Sequence, residues 1–361
     1  MKKAITCLSL FLLCGCLPAT PKTIENNFKN DTCYNYHYQH LTKQQQQLYQ
    51  KIYNIAYDQE KDIQIGQTDM DKVTPIVEKV LKDHPELFYI EEWFLTENGN
   101  FSFKYSFSNK KIKYYQKQLN TIAQQIKDNT KEFDDYEKIK YIYEYLIQQC
   151  EYLEEADYNQ EIISSLIYHK TVCSGYAKAL QYLLHEVGIE ATYLTGMSDV
   201  SSGNNDYHAT FLTGKTIKGR RDKHAINMIK YDNDYYYVDA TWGDLVNNEF
   251  ETINYDYLMF SSEEMNKNYQ IQDSYEDTTN GNNTYYKKEG YYFDYYRIDD
   301  LKQKINLSQN ECHFQFSSEI YEYAKNRLVS QGDVYKIIDV SNDREIKYID
   351  DERFHTIYLR W

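Results

Sequence analysis

The chain has 361 residues, with 55 acidic and 40 basic side chains and a formal net charge of -15. This length accommodates one large domain or two to three small ones. The acidic balance argues against nucleic acid as a main partner, because phosphate contacts require clustered Lys and Arg side chains. A mean hydropathy of -0.77 excludes a polytopic membrane protein. Seven cysteines without framework spacing do not indicate a disulfide scaffold.

The first residues are typical of a secretion signal. Lys2 and Lys3 precede an almost uninterrupted apolar run over residues 4–13. A basic start followed by about ten apolar residues is too short for a stable membrane span. It therefore predicts a segment that directs export and is then removed.

The apolar run leads into Gly15-Cys16. A small residue directly before a cysteine resembles the bacterial lipoprotein signal, in which that cysteine is lipidated and becomes the new N-terminus. The resemblance implies that residues 1–15 are removed as a lipoprotein signal peptide. Lipid on Cys16 then anchors an exported protein to the outer face of the bacterial cytoplasmic membrane, with residues 16–40 as the tether. An ordinary signal peptide with incidental cysteines is the alternative.

Residues 41–132 are predicted to form an N-terminal α/β region. Its expected elements, in chain order, are a helix after the capping box Thr42–Gln45, a helix with an apolar face from Val73 to Leu81, a hairpin of residues 87–95 and 101–107, and a polar helix over 110–132.

Residues 133–262 are predicted to form the core of the protein. Its expected elements are a helix over Asp134–Cys150, a helix within His169–Gly188, a strand over Ile189–Leu194, a loop over 196–223, and a hairpin of Ala225–Lys230 and Tyr235–Ala240. A polar connection over 273–284 leads to a C-terminal, tyrosine-rich α/β region, 285–361.

Cys173 lies where the second of these core helices is expected to begin. The partial positive charge at a helix N-terminus and its free N–H groups favour a thiolate, the form of cysteine that attacks electrophiles. Ser174 and Gly175 leave the approach to the thiol open. A buried cysteine at a helix start is more often structural, so both interpretations remain open for this residue alone.

His224 begins one strand of the second hairpin and Asp239 ends the other. A hairpin centred near residue 232 places His224 opposite residue 240, within one step of Asp239, so the two are expected to be cross-strand neighbours. The carboxylate would then orient the imidazole while the other ring nitrogen faces a thiol. The register is not fixed by the sequence, since a slip of one residue changes faces.

From about Tyr136 to Tyr257 the chain resembles the transglutaminase-like superfamily, relatives of papain-type cysteine proteases. The matching pieces are Val172–Ala177, Leu183–Ile189, His224–Ile229 and Tyr237–Trp242, with a further upstream piece at Asp83–Tyr89. The resemblance implies an α+β, transglutaminase-like and papain-like core in which the Cys-bearing helix packs on an antiparallel sheet. It makes Cys173 the nucleophile, His224 the general base and Asp239 its orienting partner. The family commonly has Asp-Pro-Thr-Trp where this chain has Asp-Ala-Thr-Trp at 239–242.

Two interpretations remain open for several features near Cys173, His224 and Asp239. Trp242 is a candidate for the substrate groove and equally a candidate core residue. His208, which also precedes an alanine, is the alternative to His224 as the base. The N–H of Cys173 is expected to donate to an oxyanion, whereas no side-chain donor can be assigned. No metal-binding or phosphate-binding motif is present, so no metal or organic cofactor is expected.

The resemblance thus implies a surface-anchored thiol acyl-transfer enzyme that attacks an amide of a protein or peptide substrate. A cysteine protease or amidase shares the same three residues and is a second possibility. A third is a surface binding module that has kept the fold without the activity. The partners expected are a protein or peptide at the cell surface and the membrane, through the lipid on Cys16.

Overall fold

The structure of the protein is a computed structural model. It describes residues 34–198, 222–245, 252–305, 310–338 and 346–361. The expected signal peptide, Cys16, the first part of the tether and His208 lie outside the described residues. None of the helices in these ranges combines the length and the apolar character needed to cross a bilayer.

The N-terminal region joins three helices to a small antiparallel sheet. Its elements are α1 (Tyr36–Gln39), α2 (Lys43–Asp58), β1 (Ile63–Gln64), α3 (Met70–Asp83), β2 (Ile90–Leu95) and β3 (Asn100–Tyr105). Thr42 and Gln45 form the expected capping box. The first hairpin is confirmed as the antiparallel pair β2 and β3, with β1 on the other edge of β3.

The helix that begins with Cys173 is the central helix of the core. The elements here are α4 (Asn109–Thr130), α5 (Asp135–Gln149), β4 (Glu151–Tyr152), β5 (Lys170–Thr171) and α6 (Cys173–Glu186). The helix expected within 169–188 therefore starts at Cys173, because the residues before it pair with β4 as a short parallel strand. Most side chains of α6 are buried, against α5 on one side and the central sheet on the other.

The central sheet is antiparallel, as expected, and its strand order is β11-β6-β7-β8. Its strands are β6 (Ala191–Ser198), β7 (Asp222–Tyr231), β8 (Asp234–Val238) and β11 (Tyr269–Ile271). Two short strands, β9 (Asp244–Leu245) and β10 (Thr252–Ile253), form a separate antiparallel pair. The expected loop over 196–223 is wrong at both ends, because residues 196–198 pair with residues 222–224.

The turn between β7 and β8 fixes the register of the sheet at the site. Asp232 and Asn233 both have positive φ, 52° and 59°, the requirement of a two-residue type I′ turn whose twist matches that of the strands. Asn227 therefore pairs with Val238. The hairpin was expected to centre near residue 232, and it turns between residues 232 and 233.

The C-terminal region forms a second four-stranded sheet in the order β12-β13-β15-β14. Two short helices lead into it, α7 (Ala240–Gly243) and α8 (Ser262–Asn268). The region itself contains α9 (Tyr285–Glu289), β12 (Tyr292–Phe293), α10 (Ile298–Lys304), β13 (Glu311–Phe316), α11 (Tyr321–Lys325), α12 (Asp333–Ile338), β14 (Lys347–Asp351) and β15 (Thr356–Arg360). Only β12 pairs in parallel; the other pairs are antiparallel.

The described residues form one large apolar core around α2 to α6 and a second core within the C-terminal sheet. A third cluster, rich in aromatic residues, packs on β7 and β8 next to His224. This aromatic cluster contains Trp242, Tyr257, Phe260 and Tyr269, together with Phe354 from the turn between β14 and β15. This cluster is the part of the core that contacts His224 and Asp239.

Candidate active site

The start of α6 is held closely by the chain that precedes it. The Val172 N–H donates to the carbonyl oxygen of Asn159 at 3.1 Å, and the Thr171 hydroxyl donates to the same oxygen at 2.7 Å. Gly175, in the first turn, leaves no room for a side chain, because a Cβ there would run into Thr171 and Asn159. These contacts fix the position of the half-buried Cys173 thiol.

His224 is the third residue of β7 and lies opposite Gly196 of β6. Asp239 follows β8 directly, and its Oδ2 lies 2.7 Å from Nε2 of His224. The two side chains are 2% and 0% exposed. The structure therefore brings the histidine and the aspartate together across the hairpin in a site that excludes water.

The second ring nitrogen of His224, Nδ1, is buried and has no hydrogen bond of ordinary geometry to any described residue. The Cys173 thiol interacts electrostatically with the same imidazole. Because Asp239 occupies Nε2, Nδ1 is the nitrogen that remains for the thiol. A long or loose contact between nucleophile and base is common in active sites without substrate.

The Asp239 carboxylate accepts four hydrogen bonds, two on each oxygen. Oδ1 accepts from the backbone N–H groups of Thr241 and Trp242, at 3.0 and 3.1 Å, and so caps α7. Oδ2 accepts from His224 and from the Tyr269 hydroxyl, both at 2.7 Å. This one side chain therefore both caps α7 and orients the imidazole of His224.

The electrostatics of the site favour a charged cysteine. Burial opposes ionisation of Cys173, but the hydrogen bond and charge of His224 and the Ala225 N–H together lower the pKa of the thiol. Burial also disfavours a charged imidazole, yet the charge and hydrogen bond of Asp239 raise the pKa of His224 from 6.5 to about 10. At neutral pH this arrangement favours a thiolate beside an imidazolium.

The other two cysteines of the described residues have the opposite character. Cys150 and Cys312 are free and buried. Burial raises the pKa of Cys150 to about 12 and raises that of Cys312 further. Among the cysteines described, Cys173 alone combines partial exposure with a lowered pKa, the combination found at reactive thiols.

Trp242 lies against the imidazole rather than in open space. It is 5% exposed, and its ring centroid is 5.4 Å from that of His224. It packs in the aromatic cluster, as a core tryptophan would, and its part in a substrate groove stays a prediction. No group of three or more His, Cys, Asp or Glu side chains within the described ranges is placed to hold a metal ion.

Tyr269 is the residue at this site that the sequence did not reveal. It lies on β11, thirty positions after Asp239, and its hydroxyl donates to the carboxylate. Its ring stacks on that of His224, with centroids 5.9 Å apart and planes at 16°. One tyrosine among 40 carries no local signal, and only the pairing of β11 with β6 brings it to the site.

Comparison with known proteins gives a match over the core of the chain. Residues 120–240 match the family model of the transglutaminase-like superfamily, and this range contains Cys173, His224 and Asp239. No curated protein matches the chain.

Two solved structures resemble parts of the chain at low similarity. One is a protein of Cytophaga hutchinsonii described as a candidate cysteine protease, 18% identical, covering 34% of this chain and 38% of that one, with a TM-score of 0.27. The other is a TGase, 13% identical, covering 44% and 46%, with a TM-score of 0.29. This chain therefore spans less than half the length of either structure. The family match and the architecture together give residues 120–240 the α+β fold of the transglutaminase-like superfamily.

Proposed function

We propose that this protein is a thiol acyl-transfer enzyme that acts on an amide of a protein or peptide, with Cys173 as nucleophile, His224 as base and Asp239 as its orienting partner. The observation that carries the proposal is the buried His224–Asp239 pair at 2.7 Å. This pair leaves one imidazole nitrogen for a thiol whose pKa the imidazole lowers. A nucleophile within reach of a base that a third group orients is a diagnostic signature of covalent catalysis.

In the first half-reaction the Cys173 thiolate attacks the amide carbonyl carbon, and the carbonyl electron pair moves to the oxygen. As the first helical residue, Cys173 has no intrahelical acceptor for its N–H, which can stabilise this oxyanion. The carbonyl then re-forms, the C–N bond breaks, and the His224 imidazolium donates its proton to the leaving nitrogen. The products are a thioester on Cys173, a neutral His224, and ammonia or an amine.

In the second half-reaction an amine or a water molecule attacks the thioester carbonyl. His224 takes the proton of this nucleophile, the C–S bond breaks, and Cys173 leaves as the thiolate. An amine gives transamidation, whereas water gives the hydrolysis expected of a cysteine protease or amidase. The buried triad serves both outcomes, and the choice depends on which nucleophile reaches the thioester.

We also propose that the enzyme acts at the cell surface, held by lipid on Cys16. The basic start, the short apolar run and the Gly15-Cys16 junction support this location. Fractionation of cells that express the Cys16→Ser variant tests it: the variant should leave the membrane fraction, while the wild-type chain stays there. Retention of Cys16→Ser in the membrane fraction contradicts the anchor without affecting the proposed chemistry.

The catalytic proposal is tested by mass spectrometry of the native chain after brief treatment with iodoacetamide at neutral pH. Cys173 should be labelled faster than Cys150 and Cys312, and His224→Ala should abolish this preference. Cys150→Ala is the matched control, because its buried thiol should contribute nothing to fast labelling.

A library of glutamine-containing peptides, offered with and without a tagged primary amine, then tests the transfer step. An acyl adduct on Cys173 that is absent from Cys173→Ala supports an enzyme. Amine incorporation then distinguishes transamidation from cleavage or deamidation by water. Equal labelling of Cys173 in wild type and His224→Ala, with no acyl adduct from any peptide, contradicts the proposal and favours a binding module.

A further inference from the structure

The Asp239 carboxylate has a second side-chain donor besides His224, and it comes from outside the family match. The Tyr269 hydroxyl donates to Oδ2 of Asp239 at 2.7 Å, the same oxygen and the same distance as the histidine. Tyr269 is 5% exposed, and the Asp239 side chain is fully buried. No bulk water therefore reaches this oxygen to replace a donor that is removed.

Tyr269 contacts the histidine as well as the aspartate. Its ring stacks on the imidazole, nearly parallel at 16°, while Trp242 covers the imidazole at 43°. Two aromatic rings thus fix the plane of the imidazole, and the hydrogen bond between Nε2 and the Asp239 carboxylate fixes the rotation of the ring within that plane. The carboxylate is itself held at Oδ1 by two N–H groups of α7 and at Oδ2 by Tyr269.

The phenol acts as a donor throughout the working pH range. Burial and the negative charge of Asp239 raise the pKa of Tyr269 well above 10, so its proton stays on the oxygen. The ionisable groups that face this phenol are Asp239, Tyr257 and Arg353, and its ring contacts His224. Arg353 is engaged with Asp351, and the Tyr257 hydroxyl contacts that arginine at 3.2 Å.

We propose that Tyr269 is a positioning residue of the catalytic centre: its hydroxyl stabilises the ionised Asp239 carboxylate and its ring fixes the plane of the His224 imidazole. The inference rests on the proposed function, because it assigns Tyr269 to the same nucleophile and base. A hydrogen bond to a charged acceptor in a dry site stabilises the charged form strongly. The phenol therefore supports the partner of the imidazolium, and we expect the imidazolium and the thiolate to persist to lower pH than they would without it.

The C-terminal region supports this tyrosine. Phe260 packs on Tyr269 with ring centroids 6.1 Å apart, and Phe354, from the turn between β14 and β15, packs on Phe260 at 5.9 Å. The carbonyl oxygen of Phe354 accepts from the Gln315 side chain at 3.0 Å. The turn that carries Phe354 is thus fixed to β13, and through Phe260 it holds β11 at the back of the site.

The test is the pH dependence of Cys173 alkylation by iodoacetamide in the full chain, measured for wild type, Tyr269→Phe and Tyr257→Phe. Tyr269→Phe keeps the ring stack and removes only the hydroxyl. We expect its acid limb, where alkylation falls as thiolate is lost, to shift upward by about one pH unit. Tyr257→Phe removes a buried hydroxyl that belongs to the same aromatic cluster and bonds Arg353 rather than the Asp239 carboxylate, and its acid limb should match wild type.

Turnover of a peptide substrate should show a lower kcat for Tyr269→Phe at an unchanged KM, because Tyr269 contacts the base and its partner rather than the substrate. Tyr269→Leu, which also removes the ring, should reduce alkylation further. An unshifted acid limb in a folded Tyr269→Phe protein, or an equal shift in Tyr257→Phe, overturns the inference. Alkylation needs no substrate, so this result is independent of whether the acyl-transfer proposal succeeds.

Discussion

The most informative substitution at this site is Asp239→Asn, because the carboxylate meets donors on both sides. An amide offers one oxygen and one NH2 group. If the amide oxygen replaces Oδ1, the NH2 group faces the donors of His224 and Tyr269. If it replaces Oδ2, the NH2 group faces the two backbone N–H groups of α7. In either orientation two of the four hydrogen bonds are lost, and two buried donors face the NH2 group, which is itself a donor.

The magnitude follows from these contacts. Hydrogen bonds to a buried charged acceptor contribute about 1.5–3 kcal/mol each, so the loss of two is expected to reduce the free energy of unfolding by about 3–6 kcal/mol. The imidazolium also loses the charge that raises the pKa of His224 to about 10. Replacing the orienting aspartate of a Ser-His-Asp triad by asparagine lowers kcat by about 10⁴-fold, and we expect a loss of up to that order here.

Asp234→Asn is the matched control. Asp234 lies at the other end of β8, is equally buried, and accepts five hydrogen bonds, among them those of the Tyr235, Thr279 and Asn280 N–H groups. The same chemical change there should cost stability without changing the rate of Cys173 alkylation in folded protein. Urea unfolding and the alkylation rate between about pH 5 and pH 9 measure the two effects. A wild-type alkylation profile in Asp239→Asn, or an equal loss in Asp234→Asn, would refute the reasoning.

Two further predictions concern the packing behind the site. Burial and the charge of Asp351 raise the pKa of Asp256 from 3.8 to about 7. Because the folded protein binds this proton more tightly than the unfolded chain, Asp256 stabilises the fold fully below about pH 4. The free energy of unfolding then falls by up to about 1.4 kcal/mol per pH unit as the pH rises through 7. Urea unfolding at several pH values should show this loss in wild type and not in Asp256→Asn. The same dependence of the free energy of unfolding on pH in both proteins would contradict this prediction. Phe354→Ala should lower the free energy of unfolding by about 3–5 kcal/mol through the cavity it leaves, and it should slow Cys173 alkylation by loosening the support of Tyr269. Tyr348→Ala, an exposed aromatic on β14, is its control, and unchanged alkylation in Phe354→Ala would argue that the C-terminal turn does not reach the site.

Much of the local structure could be predicted from the sequence because it depends on short-range chemistry. The capping box at Thr42, the alternating hairpin around Gly99 and the amphipathic helix after Cys173 are each specified by residues within one or two turns. The type I′ turn at Asp232-Asn233 belongs to the same class. A turn predicted near these residues was enough to place His224 close to Asp239, although the assumed register was off by one residue.

The limits of the loop before His224 could not be predicted in this way. Residues 196–198 have no strong strand pattern, and Gly196 in particular weakens one. In the fold this glycine is where the backbone of β11 approaches β6 so closely that a Cβ would collide with Gln270. The strand exists because two neighbours pair with it, and this pairing is a long-range property.

By itself, the sequence determined three catalytic candidates, the class of the fold and the chemistry of a thiol at a helix start, because residue types and their order carry that information. The tertiary structure alone decided that both oxygens of Asp239 are occupied, that Tyr269 shares one of them with His224, and that Phe354 supports the arrangement from the C-terminal sheet. The contact of Tyr269 with Asp239 joins residues 30 positions apart, and that of Phe354 with Phe260 joins residues 94 positions apart. Their partners are ordinary tyrosines and phenylalanines until burial and strand pairing place them against one carboxylate.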